Sequence, residues 1–353
     1  FEFNHSQIEV CLDDGEIRTN KDQAKICEVE FELKQGSAQD LIEFAQTWVE
    51  KYQLWLDVRS KAERGNLLAM GKKASAATKA KSLQLEPNLS AEQALKQVIE
   101  NSLNHILPNA AAIADGVAEA DHIHQARVGL RRLRSALKHF SNWSQHINPA
   151  WESELADIFR ALGQSRDHDA IQDSVIPLIK EVCDFDFALS SSTDPEIATR
   201  LSSSQTTQLF LSLLSFIYSE NESKNKLSRQ VSKSLTKLYH KILKDAAQFP
   251  ELSVEQQHRT RKRVKQLRYC IDFTAGLYPE KQVQQFLDKL QPIQEYLGFY
   301  NDLFVAEQIF QQQVSEKPEF LFALGWVKAQ QPHMAKKANK KLQVLSHKDI
   351  FWA

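Results

Sequence analysis

The segment His124-Gln-Ala-Arg127-Val-Gly-Leu-Arg131-Arg132-Leu-Arg134-Ser-Ala-Leu-Lys138 returns, respelled, as His258-Arg-Thr-Arg261-Lys262-Arg-Val-Lys265-Gln-Leu-Arg268. In both copies one His and a set of cations recur at offsets 0, +3, +7 and +10, and the first copy adds Lys138 at +14. Alternating steps of three and four put these residues on one face of an α-helix. The apolar residues Leu130, Leu133, Leu137 and Phe140, and then Val264, Leu267 and Ile271, follow the same steps and form a core stripe. At roughly 100° per residue the cationic row lies about a quarter to a third of a turn from that stripe. It therefore flanks the core, where charge lines a groove between elements. Lys262 sits beside the second row and is counted with it. Arg132, Arg259 and Arg263 point away from the rows and read as solvated charges.

Like charges at this spacing repel and cost stability. A single such helix reads equally well as a solvated basic face. Two copies in the same phase favour a role in holding something negative. The copies extend downstream, to Leu162-Gly163-Gln-Ser-Arg166-Asp167 and Leu297-Gly298-Phe-Tyr-Asn301-Asp302, with His-to-Asp separations of 43 and 44 residues. Matched motifs at a matched interval indicate a duplicated helical unit. Leu-Gly followed by Asp reads as a helix end and a new N-cap. The alternative is that Asp167 and Asp302 hold an Arg of the row.

These paired helices with their trailing L-G-x-x-x-D resemble the CHAD (conserved histidine α-helical) domain over about residues 85–350. The resemblance implies a pseudo-symmetric helical bundle that binds inorganic polyphosphate in a basic central channel and needs no cofactor. It carries the binding role to His124, Arg127, Arg131, Arg134 and Lys138, and to His258, Arg261, Lys262, Lys265 and Arg268. Two departures make the far end of the second copy less basic. Asp272 stands at the position matching Lys138, and Asn301 at that of Arg166.

With 353 residues, two domains are a fair expectation. The net charge of -1 offers no global basic field to recruit nucleic acid. The charge is partitioned instead. Residues 1–60 carry 13 acidic and 6 basic side chains, so the remainder is net +6, much of it in the rows. Neither row is interleaved with stacking aromatics, and no helix-turn-helix signature precedes one, which argues against nucleic acid. A metal site at the row histidines lacks i, i+4 pairing and would face repulsion from the cations. Cys11, Cys27, Cys183 and Cys270 are scattered without metal-type spacing, as suits a reducing cytoplasm. Leu209–Tyr218 is too short to span a bilayer, and no signal-peptide pattern opens the chain, so no membrane role is expected. The chain opens at Phe1, in mid-pattern, and residues upstream of it are expected.

Residues 1–34 alternate like strands. Gln7–Leu12 runs into Asp13-Asp14-Gly15, a turn signal, and Thr19–Lys25 reads as a loop. In Ile26–Lys34, Val29, Phe31 and Leu33 share one face, and Glu28, Glu30 and Glu32 the other. Three carboxylates in a row are either a wet, charged edge or a divalent-metal site. Residues 38–56 are helical, with Ser37 as cap, and Ser60-Lys61-Ala-Glu-Arg64-Gly65 follows. This order of elements resembles the C-terminal half of a CYTH domain over about residues 5–68. CYTH domains are triphosphate tunnel metalloenzymes, β-barrels that often precede CHAD in bacterial inorganic triphosphatases. The resemblance implies that Glu28, Glu30 and Glu32 hold Mg²⁺ or Mn²⁺ and that Arg18 and Lys61 touch triphosphate. The family's E-x-E-x-K strand has no counterpart in the chain, so triphosphate hydrolysis is expected of the intact relative and not of this chain.

The remaining expectations concern organisation. Residues 69–89 read as a linker, and 90–350 as the CHAD-like domain in two repeats, about 90–190 and 206–350, around a loop at 184–206. Ser90-Ala-Glu-Gln93 and Ser253-Val-Glu-Gln256 are capping boxes. Pro279 and Pro292 mark breaks or first turns. Lys336, Lys337, Lys340 and Lys341 lie on a final helix. The fold class is mainly α, a duplicated bundle preceded by a small α+β fragment of a barrel. The function expected is polyphosphate binding in a basic groove between the two helices, with triphosphate hydrolysis or nucleic-acid binding as alternatives.

Overall fold

Alternation at the N-terminus produces strands, and the 3.6-residue period produces helices almost everywhere after it. A computed structural model describes residues 1–183, 185, 187, 195–221, 225–345 and 350–352. Strands β1 (Glu2–Phe3), β2 (Ser6–Arg18) and β3 (Gln23–Gln35) form an antiparallel sheet in that order. The turn between β2 and β3 lies at Thr19–Asp22, where Thr19 N–H donates to the Asp22 carbonyl at 2.8 Å. The Asp13-Asp14-Gly15 turn read from the sequence is thus corrected. These residues continue β2, opposite Glu28, Cys27 and Ile26, because Ile17 still has Ala24 to pair with. Gly36 turns the chain out of β3 at φ +111°, where a Cβ would strike Ser6.

Helix α1 (Ala38–Tyr52) is capped by Ser37 and packs Phe44 and Trp48 against Phe31 of β3. Helix α2 (Lys61–Ala69) is capped by Ser60. Then come α3 (Ala91–Ala114), α4 (Ala120–Phe140), α5 (Ala150–Ala161), α6 (Gln164–Ser174) and α7 (Ile176–Lys180). They are followed by α8 (Pro195–Leu201), α9 (Ser204–Tyr218), α10 (Leu227–Ala247), α11 (Val254–Thr274), α12 (Glu280–Gln313) and α13 (Phe320–Leu342). The fold is mainly helical, with a duplicated succession of long helices. No helix among the described residues is long and apolar enough to cross a membrane.

The chain divides into two compact units whose borders differ from those read in the sequence. The first holds residues 1–81, 92–162 and 194–224; the second holds 82–91, 163–193 and 225–353. In the first unit, α1 packs on α9 through Ile42, Val49 and Leu211. Gln208 Nε2 donates to the Gln46 carbonyl at 2.6 Å, and Arg59 bridges Asp57 and Asp115. Residues 69–81, expected as a linker, are held along α3 and α4. Asn109 clamps the backbone of Thr78 at both N–H and C=O (3.0 and 2.9 Å), and Ser75 C=O lies 2.9 Å from His122 Nε2. Helices α3 and α4 touch closely at Gly129, where a Cβ would meet Ile106 at 2.6 Å.

In the second unit, Tyr239, Phe286 and Trp352 meet edge-to-face in a core beneath α10 and α12. The capping box at Ser253 opens α11: Gln256 N–H donates to Ser253 Oγ, and Ser253 N–H to Gln256 Oε1. Two further expectations fail, one in each unit. Gly298 ends no helix, since α12 runs through it and through Pro292 without interruption. The loop expected at 184–206 is partly helical, in α8 and the start of α9, while 188–194 lie outside the described residues.

Candidate functional site

The first row lies along α4 in the first unit. Its apolar stripe, Leu130, Leu133, Leu137 and Phe140, is buried as the period requires. His122 fixes the helix start: its Nδ1 accepts from Glu119 N–H at 3.0 Å, completing a capping box. Two residues on, His124 is half-buried, and Arg127 is buried with 8% of its surface exposed. The guanidiniums of Arg127, Arg131 and Arg134 stand 4.6, 5.3 and 5.5 Å from the centre of one ring, that of Phe159 on α5. Arg127 also donates to the Phe159 carbonyl at 3.3 Å, and Arg134 pairs with Glu152 at 2.8 Å. A ring face attracts cations, and three guanidiniums around one phenyl concentrate positive charge on this side of α4. Among the described residues no ion pair reaches Arg131, and Lys138 is exposed.

Arg132 is corrected. It is not solvated but 5% exposed, donating to Asn101 Oδ1 at 3.3 Å, because α3 closes over that side of α4. Arg263 is corrected likewise: it ion-pairs with the buried Asp245, which also accepts from Thr260 Oγ1 at 3.0 Å. Arg259 is exposed, as read.

The second row lies along α11 in the second unit. His258, Arg261, Lys265 and Arg268 are half-buried on one side, and Lys262 is exposed beside them. Burial, with Arg261 and Lys262 adding to it, pushes the His258 imidazole down to about 4, so the ring is neutral at pH 7. Arg261 lies 4.0 Å from Asp302. This Asp sits inside α12, caps nothing, and takes the Arg-holding role. Arg268 donates to Gln294 at 3.2 Å and lies 3.8 Å from Asp272. Next to His258 and Arg261, the Asn301 Oδ1 is buried with no donor. The side chains of Arg166 and Asp167 lie outside the described residues.

A separate cluster forms on the acidic face of the hairpin. Oxygens of Asp13, Glu28 and Glu30 lie within 4.8 Å of one another. The Lys61 ammonium sits among them, at 2.5, 3.1 and 2.7 Å, and Arg64 pairs with Glu28. Three carboxylates, Asp13 first, raise the Lys61 pKa above its ordinary value. Asp13 was missed in the sequence because Asp-Asp-Gly was assigned to a turn; it belongs here by its register opposite Glu28. Glu32 stands apart, paired with Lys34 at 2.9 Å. Arg18 is also apart, at the turn end of the hairpin, exposed and paired with Glu16. Hard oxygen donors in this number suit a divalent cation, but a cation fits only once the Lys61 ammonium is displaced.

Phe159 and Glu152 carried no signal in the sequence, since they enter from the next helix at no fixed spacing from the row.

A family model described as CHAD domain matches residues 97–311. The crystal structure of the CHAD domain from the plant Ricinus communis superposes with a TM-score of 0.63 at 26% identity, covering 77% of this chain and 98% of that one. An inorganic triphosphatase of Haemophilus influenzae is 43% identical over 67 residues, which are 19% of this chain and 19% of that protein.

Proposed function

The chain belongs to the CHAD domain family, and from that premise we propose that it binds inorganic polyphosphate through the cationic rows of α4 and α11. The observation that carries the proposal is the gathering of Arg127, Arg131 and Arg134 around Phe159. Guanidinium forks match phosphate oxygens and form strong charge-assisted bonds. A polymer of uniform charge, without bases, suits rows that carry little else. The reading makes His258 a neutral hydrogen-bonding group in the free protein, poised to take a proton when phosphate arrives.

The test is retention of labelled polyphosphate by the Arg127→Glu/Arg261→Glu variant. Wild-type binding that falls steeply with salt, and is lost in the variant at unchanged helicity, is the expected result. Undiminished binding by the variant would refute the proposal. Duplex DNA that displaces the polymer at equal phosphate concentration would favour nucleic acid instead.

The Asp13–Glu28–Glu30 cluster favours a second reading for a longer protein, triphosphate hydrolysis. With Lys61 turned onto substrate phosphate, the three carboxylates would hold Mg²⁺ or Mn²⁺, which would neutralise charge on the phosphoryl oxygens. Phosphate release from tripolyphosphate, compared between this chain and the full gene product, tests it. Asp13→Asn should abolish any activity found.

A further inference from the structure

Helix α10 carries a third line of cations that the two matched motifs do not include. Arg229, Lys233, Lys237, Lys241 and Lys244 are all exposed. Their steps of four, four, four and three confine them to an arc of about 120°, over a length of about 22 Å. The opposite face is the core side, where Leu227, Val231, Leu235, Leu238 and Ile242 are buried. The helix has one acidic residue, Asp245, and it is buried and engaged by Arg263 and Thr260. Among the described residues, no ion pair joins any of the five cations to a carboxylate. A surface helix ordinarily intersperses Glu or Asp at i+4 to offset such repulsion. Here the counter-charge must come from outside the helix.

The chemistry of the line narrows what that is. Four of the five cations are Lys, point charges without the planar fork that reads a base edge or a single phosphate group. No large apolar residue is exposed on α10, so nothing would enter an acyl layer or stack on a base. What remains is recognition of charge along a line. Helix α10 is also the neighbour of α11 in the same unit, pinned to it through Asp245. We propose that the outer face of α10 is an additional contact surface for a linear polyphosphate, engaged only by a polymer longer than the neighbouring row of α11 can cover. The inference rests on the polyphosphate reading above. It assigns to α10 a length-selecting role through multivalency, in which the second contact adds avidity once the tether spans the sites.

The experiment compares the full chain with a variant carrying Lys233→Gln, Lys237→Gln, Lys241→Gln and Lys244→Gln. These residues face away from the core, and circular dichroism checks that the helix persists. Affinity is measured for polyphosphates of roughly ten and about several hundred units. The expected result is unchanged affinity for the short polymer and about a tenfold loss for the long one, with a shallower salt dependence. Equal affinity of variant and wild type for the long polymer would overturn this inference and leave the rows intact. Loss of binding to anionic phospholipid vesicles or duplex DNA, with long-polymer affinity unchanged, would overturn it in favour of that partner. Short-polymer binding that survives Arg127→Glu/Arg261→Glu would overturn the underlying reading alone, and a wild type that binds neither polymer would overturn both.

Discussion

The Arg127 guanidinium lies 4.6 Å from the centre of the Phe159 ring, and its Nη1 donates to the carbonyl of the same residue. One residue of α5 thus supplies both a π face and a backbone acceptor to a single side chain of α4. With Arg131 and Arg134 on the same ring, Phe159 positions three members of the row together. Phe159→Leu keeps most of the apolar volume and removes the face. Polyphosphate affinity should fall about fivefold to tenfold, roughly 1 kcal/mol, while Phe159→Tyr restores it. Titration calorimetry on the two variants checks this, and equal affinities would deny the ring its role.

Glu152 competes with any anion for Arg134. Its carboxylate is partly exposed, and such pairs contribute under about 1 kcal/mol. Glu152→Gln should therefore strengthen polyphosphate binding modestly, by roughly threefold. Fluorescence anisotropy at fixed salt reads the effect, and weaker binding would show that Glu152 orients Arg134 rather than screening it.

Asp245 is 9% exposed and accepts from both Thr260 and Arg263. Asp245→Asn keeps the shape and leaves a guanidinium without its counter-charge. The expected cost is about 3 kcal/mol, seen as a lower urea midpoint at unchanged m-value. Binding to the short polymer should survive below the transition.

His258 gives the second unit a pH signature. Its folded pKa, about 4, is depressed below an unfolded value near the usual 6.5. Between those limits the unfolded chain holds more protons than the folded one. Stability is therefore full above about pH 6.5 and declines as pH falls toward 4. The residue is only half-buried, so the loss is on the order of 1 kcal/mol. His258→Gln should flatten that part of the profile, measured by chemical denaturation at pH 7, 5.5 and 4.5. An unaltered slope would place the titrating group elsewhere.

Much of the helical architecture was readable because it is periodic. The Leu130–Leu133–Leu137 stripe, the Ser253 capping box and the Ser37 cap each obey a local rule that needs no partner. What the residues alone did not disclose is tertiary. Arg132 read as solvated because a helical wheel shows its own face and not α3 arriving over it. Phe159 and Glu152 have no periodic tie to the row they modify. Asp13 was assigned to a turn because Asp-Asp-Gly is a good turn in isolation, and the pairing of Ile17 with Ala24 overrode it. Gly298 looked like a terminator, yet the buried Tyr300, Leu303 and Ala306 that follow keep α12 anchored through it.

The packing of α1 on α9 has a practical consequence. Similarity to the family begins near residue 97, but Leu211 is covered by Ile42 and Val49, far upstream of that point. A fragment cut at residue 90 would keep every cation of both rows and strip an oily seam bare. Kinship and self-sufficiency have different borders in this protein, and anyone trimming it for the bench should follow the second.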